Sequence, residues 1–469
     1  MSIPPRDDKS LDRRTLLRAG LSAAALVALP RSLRAAPALR MTGEPNDRPH
    51  LEAARRAERW IHASRIATER GAMWPSDPRD AKTTSLDLYN GWPGVVLFYL
   101  ELHHATGDAA ALSEARAGAE ELLQAVSRRD AIGGSGLYTG AAGIAFVLSE
   151  MHAATGESRY RRGARAALDL VAARARQAGD GVEWGTAPES TSTDIISGGA
   201  GIGLTLLAMH RRYRDQRDLQ LATRAGRRLA SVGIRDGDGL RWAMTPSFSR
   251  EMPNFSHGTA GVSYFLAELF AATGERSLLD AARAGARYLE RVSTCYDDAC
   301  SVFHHTNGGE QLYYLSWCHG PAGTARLFHR LGAITGDRAD AAWVARGAKA
   351  ITTSGVPETR TPGFWNNVSV CCGNAGVADF FLQLYRSRGD TAYLAFAERT
   401  LADLMHRATD DDAGLRWIQA ENRVSPDDVV AQTGFMQGAA GIGSVLLRFD
   451  ALQRKRRVRV LWPDSPWPA

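Results

Sequence analysis

Three of the five cysteines of this 469-residue sequence stand where they can act together on one metal ion. Cys318 lies two residues before a Gly-x-x-Gly segment, and the adjacent pair Cys371 and Cys372 lies directly before another. Soft thiolates at a helix start are typical ligands of zinc, and three of them leave a fourth position open for a substrate. Two other interpretations are open for these residues: small buried side chains, or disulfides in an exported protein.

A glycine repeat gives these cysteines a common place in the fold. The segment Gly-x-x-Gly recurs seven times, and its glycine pairs are Gly91/Gly94, Gly140/Gly143, Gly198/Gly201, Gly258/Gly261, Gly320/Gly323, Gly373/Gly376 and Gly438/Gly441. In five repeats a third glycine follows directly before Asp or Glu, at Gly107, Gly156, Gly274, Gly336 and Gly389. In the third repeat Arg214 takes that place. A period of 49 to 65 residues indicates a repeat architecture.

The residues between the glycines predict a helix with marked ends. They are apolar nearly all round, which is typical of a buried helix. The third glycine suits a left-handed C-terminal cap, and the acid after it suits the start of a second, amphipathic helix. Seven pairs with apolar inner helices favour closure, because a ring buries the inner layer on all sides. The predicted fold is all-α: an α/α toroid, a double-layered ring, of seven helix-hairpin repeats with Gly-x-x-Gly at the inner-helix starts.

If the repeats are equivalent, the two residues before each first glycine face one shared mouth of the ring. In chain order these residues are Tyr89-Asn90, Tyr138-Thr139, Ile196-Ser197, Ser256-His257, Cys318-His319, Cys371-Cys372 and Met436-Gln437. The three cysteines therefore fall in equivalent slots of neighbouring repeats, and His257 and His319 share those slots. This register favours a zinc site made of Cys318, Cys371 and Cys372 over the two other interpretations.

The motifs around these slots resemble those of the lanthionine synthetase C-like family, over about Leu51 to Leu452. They are Ser256-His257-Gly258-Thr259-Ala260-Gly261, Trp317-Cys318-His319-Gly320 and Cys371-Cys372-Gly373-Asn374-Ala375-Gly376. The resemblance implies a seven-repeat toroid with Zn²⁺ held by Cys318, Cys371 and Cys372, the last standing where many members have histidine. It also implies that His257 is the catalytic histidine and that Asp194 is the family's aspartate.

The resemblance further implies a reaction: a cysteine thiol adds to dehydroalanine or dehydrobutyrine and forms a thioether. Zinc would favour the substrate thiolate, and His257 would give a proton to the resulting enolate. The expected partner is a peptide or protein with dehydroamino acids made by another enzyme, or a small thiol as second substrate. Two positions depart from the family pattern. Tyr314 stands where several bacterial cyclases have arginine, and Pro321 directly follows the first glycine of its repeat.

Other functions remain open on the sequence alone. A toroid with eleven tryptophans also fits a carbohydrate-active enzyme, although hydrolysis of a glycosidic bond needs two facing carboxylates. A zinc-stabilised binding protein without catalysis is a third possibility. Asp194 is either a residue that orients an imidazole or an N-cap of the third inner helix. Cys295 and Cys300 lie outside the repeat register and are either a local disulfide or two free thiols.

The N-terminus and the net charge predict where the protein is located and which partners it lacks. Arg13 and Arg14 precede a short apolar run, which predicts a twin-arginine export signal over residues 1–38. The expected location is then periplasmic or extracellular, and it is cytoplasmic if the signal interpretation is wrong. The toroid is assigned to residues 39–460 and a short Trp/Pro-rich tail to 461–469. The signal carries +4 of the net charge of +6, so we expect no nucleic-acid partner. We also expect no stable membrane span, and a monomer.

Overall fold

The computed structural model describes residues 48–359, 367–420, 429–457 and 459–467. The predicted export signal, residues 1–38, lies outside these ranges. Fourteen α-helices occur within them, with twelve short strands and three 3-10 turns at Ala81–Thr83, Arg129–Ala131 and Pro188–Ser190. None of these helices is both long and apolar enough to cross a membrane.

Seven helices form the inner layer, and each begins one residue after the first glycine of a repeat. Their bounds are Trp92–Thr106 (α2), Ala141–Thr155 (α4), Gly199–Tyr213 (α6), Thr259–Thr273 (α8), Pro321–Thr335 (α10), Asn374–Arg388 (α12) and Ala439–Gln453 (α14). Most of their side chains are buried on every face, as their continuous apolar sequence predicts. Each inner helix contacts the next, and α14 contacts α2, so the layer closes into a ring. The predicted α/α toroid is confirmed.

The outer layer consists of a helix packed against each inner one. Six outer helices follow their inner partners directly: Ala109–Ser127 (α3), Ser158–Ala173 (α5), Gln216–Ser231 (α7), Arg276–Val292 (α9), Arg338–Thr352 (α11) and Thr391–Arg407 (α13). The seventh partner is the N-terminal helix Pro49–Ala63 (α1), which packs on α14 from the other end of the chain. The seventh pair therefore joins the two ends of the toroid.

The ends of the helices follow the sequence markers. The third glycines adopt a left-handed conformation after the inner helices, as at Gly107 with φ 74°, and Arg214 does the same with φ 60°. In four repeats the next acid accepts a hydrogen bond from the first turn of the outer helix, as Asp390 does from the N–H of Ala392. Such caps satisfy amides that have no partner within the helix.

Short antiparallel hairpins, which the all-α prediction omits, connect several repeats. The strand pairs are Ile66–Ala67 with Ala72–Met73 (β1, β2), Arg176–Ala178 with Gly181–Glu183 (β3, β4), Ile234–Asp236 with Gly239–Arg241 (β5, β6), Ser293–Tyr296 with Ala299–Val302 (β7, β8), Thr409–Asp411 with Gly414–Arg416 (β9, β10), and Ile418–Ala420 with Val429–Ala431 (β11, β12). A buried tryptophan directly follows four of the hairpins. Three of these donate their indole N–H to a carbonyl of the preceding outer helix: Trp184, Trp242 and Trp417.

A closed circuit of backbone hydrogen bonds joins the seven segments that precede the inner helices; we call it the mouth ring. Each segment donates an N–H to a carbonyl of a neighbour at 2.8–3.1 Å, through Tyr89, Tyr138, Ile195-Ile196, Ser256, Cys318, Cys371 and Met436. The bond from Met436 to Tyr89 closes the circuit at 2.8 Å. Seven chain segments are thus held in register at the N-terminal ends of the inner helices.

The second glycine of each repeat permits the mouth ring to lie close to the inner helices. A Cβ atom at Gly323 would stand 2.0 Å from the carbonyl oxygen of Trp317, and at Gly376 it would stand 2.1 Å from that of Val370. The segment before each helix crosses directly over its first turn. The motif needs its second glycine because no side chain fits between the two.

Charged residues inside the ring are paired. Arg448 of α14 bonds Glu101 of α2 and Asp379 of α12, at 3.0 Å each. Arg212 bonds Glu150 at 2.6 Å, yet burial raises the pKa of Glu150 to about 7. Pairing is what makes charges tolerable in an interior that is otherwise apolar.

Candidate metal centre and active site

A cavity of about 360 Å³ opens at the N-terminal ends of the inner helices. All seven repeats contribute to its wall, through Asp87, Tyr89, Asn90, Thr139, Ile196, Ser256, His257, Tyr314, Cys318, His319, Asn367, Cys371, Cys372 and Gln437. The predicted shared mouth is therefore confirmed. The mouth ring determines the position of each of these segments, and so the geometry of the cavity.

The three cysteines of the predicted zinc site meet in this cavity. Cys318 Sγ lies 3.1 Å from Cys372 Sγ, which lies 3.4 Å from Cys371 Sγ. These separations are well beyond a disulfide bond of about 2.05 Å, so the three are free thiols. Cys318 and Cys371 are buried and are linked through the mouth ring, Cys318 N–H donating to the Cys371 carbonyl at 3.1 Å.

The donor set fits a zinc ion. The three sulfurs all lie within 4.8 Å of one another, and sulfurs about 2.3 Å from a tetrahedral zinc ion stand about 3.8 Å apart. A slight opening of the cluster brings it to that spacing. Burial raises the pKa of the Cys318 and Cys371 thiols well above their usual range. A divalent cation bound between the three sulfurs would favour their thiolate forms and release their protons.

Two side chains from the first and seventh repeats support Cys371, and neither was predicted to have a role. Tyr89 Oη donates to Cys371 Sγ at 3.0 Å, and Gln437 Nε2 donates to Tyr89 Oη at 2.7 Å. Burial, and then the adjacent Cys371, raise the pKa of Tyr89 well above its usual range, so its hydroxyl remains a donor. Both residues occupy the slot before a first glycine, which is the sequence signal that identifies them.

His257 and Asp194 form a hydrogen-bonded pair at the edge of the cavity. His257 Nδ1 lies 2.6 Å from Asp194 Oδ2, and Asp194 is only 1% exposed. The other carboxylate oxygen accepts from the N–H of Ser197 and the hydroxyl of Ser192, both at 2.9 Å. Asp194 thus caps the turn before α6 with one oxygen and orients an imidazole with the other. The alternative that Asp194 is the N-cap of this helix is wrong, because the N-cap of α6 is Gly198 and no side chain caps that helix.

A cluster of aromatic rings lies next to the cysteines on the fifth repeat. His319 stacks on His304 with ring centroids 3.8 Å apart, and His257 stacks on His319 at 5.7 Å. Tyr314 contacts His304 edge-on at 4.6 Å. Tyr314, one of the two departures from the family pattern, is therefore a buried phenol packed among histidines. His304 was not predicted, because it lies far from the glycine register in sequence.

Cys295 and Cys300 are paired in a disulfide, which decides the alternative left open by the sequence. They face each other across the hairpin β7–β8. They do not line the cavity.

The fold agrees with that of known proteins. A family model described as "Lanthionine synthetase C-like protein" matches residues 82–465. The chain belongs to this family. The solved structure of nisin cyclase is similar with a TM-score of 0.60, covering 88% of this chain and 97% of that one at 15% identity. This likeness shows a shared fold.

Two further solved structures match this chain at lower similarity. A family 76 α-mannanase from Bacteroides thetaiotaomicron gives a TM-score of 0.49, covering 87% of this chain and 97% of its own at 10% identity. A sugar epimerase from a ruminal bacterium gives 0.48, covering 87% and 100% at 13% identity. No curated protein sequence matches this chain.

The geometry of the cavity offers little for carbohydrate hydrolysis. Among the described residues of its wall, Asp87 is the single carboxylate, and it is engaged with the N–H groups of Asn90 and Gly91. Hydrolysis of a glycosidic bond uses two facing carboxyl groups. The ten tryptophans within the described ranges are buried and present no open face to a sugar.

Proposed function

We propose that this chain is a zinc-dependent enzyme that adds a cysteine thiol to a dehydroalanine or dehydrobutyrine residue and so forms a thioether. The observation that carries the proposal is the convergence, in one cavity, of three thiol sulfurs and the His257 imidazole held by Asp194. Membership of the lanthionine synthetase C-like family and the fold shared with nisin cyclase support it.

The metal would be held by Cys318, Cys371 and Cys372. Zinc with three protein ligands keeps an open position, and it favours the ionised form of a thiol near neutral pH. Tyr89 supports this set by its hydrogen bond to Cys371 Sγ. The mouth ring fixes the backbone of two of the three ligands.

His257, held by Asp194, would deliver the proton that completes the addition. In the addition, the substrate sulfur bonds to the β-carbon of the dehydroamino acid and the carbon–carbon double bond becomes single. The α-carbon then takes up one proton, which replaces the one that the thiol lost. His257 suits this delivery because Nδ1 is engaged with Asp194, so its other ring nitrogen is left for the cavity. Asp194 fixes the imidazole tautomer.

The metal is tested by its stoichiometry. We expect the purified protein to bind one zinc ion, and Cys318→Ala to lose it. The matched control is Cys295→Ser combined with Cys300→Ser, which removes two cysteines outside the cavity and keeps the metal. Retention of zinc by Cys318→Ala, or loss of zinc in the control alone, contradicts the ligand assignment.

The reaction is tested with a peptide that carries one dehydroalanine and one cysteine. Because the addition leaves the peptide mass unchanged, product is measured by the loss of a thiol that can be alkylated. A peptide without cysteine, supplied with a small thiol, tests the second class of substrate. We expect His257→Ala to keep zinc and lose addition. Full thioether formation by His257→Ala would refute the mechanism.

Tyr314 favours a second candidate, a zinc-stabilised binding protein without catalysis. Its phenol stands among histidines where several cyclases of the family have an arginine. Stoichiometric zinc with no addition to either substrate, and tight binding of the dehydrated peptide, is the result expected of that candidate.

The proposed location is outside the cytoplasm, by a twin-arginine signal. Replacement of Arg13 and Arg14 by lysine is expected to retain the protein inside cells, which fractionation measures. Unchanged export would contradict the signal.

A further inference from the structure

Several residues near the C-terminus pack inside the ring, beneath the segments that carry the metal-site cysteines. Trp462, Asp464 and Trp467 are buried. Trp462 stacks on Tyr138, with centroids 5.7 Å apart and planes inclined by 12°, and Trp467 contacts His329 of α10 at 3.9 Å. Together they border a small cavity of about 50 Å³. We call residues 459–467 the C-terminal strap; its buried side chains are part of the core, whereas Arg459 and Leu461 are exposed.

Asp464 is the polar centre of the C-terminal strap. It is 1% exposed, and its Oδ2 accepts hydrogen bonds from Tyr138 Oη and from Trp317 Nε1, both at 3.1 Å. Its main-chain carbonyl accepts from Arg326 Nη1 at 2.8 Å. Burial, and then the Asp464 carboxylate, raise the pKa of Tyr138 well above its usual range, so the phenol is a donor.

The two partners of Asp464 lead to two different metal-site cysteines. Trp317 directly precedes Cys318 in the chain. Tyr138 packs edge-on against Tyr89, with centroids 6.4 Å apart, and Tyr89 donates to Cys371 Sγ. Neither Tyr138 nor Trp317 lines the mouth cavity, but both border the small cavity beneath it. One buried carboxylate therefore bonds both Tyr138 and Trp317, on the side away from the mouth cavity.

We propose that Asp464 is a positioning residue for the metal centre, acting through Trp317 on Cys318 and through Tyr138 and Tyr89 on Cys371. The inference rests on the proposed zinc site. Residues behind metal ligands fix their orientation, and their loss commonly weakens metal binding by about 10–100-fold. Asp464 is not a catalytic residue, because its contacts lie beneath the cavity.

The test compares four proteins: wild type, Asp464→Ala, Asp464→Asn and Asp450→Ala. Asparagine keeps an oxygen that accepts from both donors, whereas alanine removes it. Asp450 is the matched control: it is a buried acid of α14 that bonds Arg48, and it is absent from the linings of both cavities. The readouts are zinc affinity by chelator competition and the thiolate-to-metal and d–d bands of the cobalt-substituted protein.

We expect Asp464→Ala to bind zinc about 10-fold more weakly and to shift the cobalt bands, while Asp464→Asn and Asp450→Ala keep the wild-type values. Unchanged zinc affinity and cobalt bands in Asp464→Ala, or equal changes in Asp450→Ala, overturn the inference. If Asp464→Ala does not fold, Tyr138→Phe decides: weaker zinc binding supports the inference and wild-type affinity overturns it. A wild-type protein that binds no zinc overturns the proposed function itself.

Discussion

The substitution Gly323→Ala tests whether the mouth ring determines the metal-site geometry. The new Cβ would stand 2.0 Å from the carbonyl oxygen of Trp317, and contacts of this kind are essentially never shorter than 3.0 Å. The carbonyl must therefore move by about 1 Å, which is the difference between these two distances. Trp317 directly precedes Cys318, so the ligand sulfur moves with it.

The size of this shift decides the expected outcome. Metal–ligand distances are held within about 0.2 Å, so a displacement near 1 Å is expected to weaken zinc binding at least about 10-fold. Alanine is a better helix former than glycine by about 1 kcal/mol, but overpacking costs about 1–3 kcal/mol. The variant is therefore expected to be destabilised as well as poor in zinc.

The matched control is Gly336→Ala at the far end of the same helix. Gly336 has φ 73° and open space around it, so alanine there costs about 1 kcal/mol in backbone strain. It is expected to keep wild-type zinc affinity. Helical content by circular dichroism and zinc affinity by chelator competition are measured for both variants. Wild-type zinc affinity in Gly323→Ala, or equal weakening in Gly336→Ala, would refute the reasoning.

Three further substitutions give measurable results. Asp194→Asn is expected to slow thiol addition about 100-fold, the scale of general acid catalysis, because it disturbs the tautomer of His257, with zinc content unchanged; a wild-type rate contradicts this. Tyr89→Phe removes a hydrogen bond to Cys371 and is expected to speed zinc release about 10-fold, as followed with a chromogenic chelator. Glu150→Gln tests a pH effect: burial raises the pKa of Glu150 from its ordinary value of 4.5 to about 7, so wild-type stability falls by about 3 kcal/mol as the pH rises between those values. Urea unfolding at pH 5 and pH 8 should show this fall in the wild type and a smaller one in the variant.

The sequence predicts the ring and its mouth because both rest on local, repeated signals. A glycine followed by an acid marks the end of an inner helix, as at Gly389 and Asp390, through a positive φ and an N-cap. The equivalence of the repeats then brings together residues far apart in the chain. Cys318 and Cys372, for example, reach 3.1 Å between their sulfurs.

The remaining features depend on contacts that carry no repeated signal. The partner of α14 is α1 rather than a following helix, because the ring closes between distant parts of the chain. The hairpins are too short to show strand periodicity. Asp464 gains its contacts only when the C-terminal strap packs in the ring, so its role was not visible in a segment assigned as a tail.

The pairing of α1 with α14 has a consequence for biosynthesis. During synthesis α1 leaves the ribosome early, and its partner α14 emerges only after almost the whole toroid has been made. The mouth ring is in the same situation, since its last bond joins Met436 to Tyr89. Closure of the ring thus depends on contacts between residues that are far apart in the sequence, and such contacts slow folding. A circular permutant that links the two ends and opens the chain between two other repeats would make α1 and α14 neighbours in sequence, and it is expected to close its ring sooner.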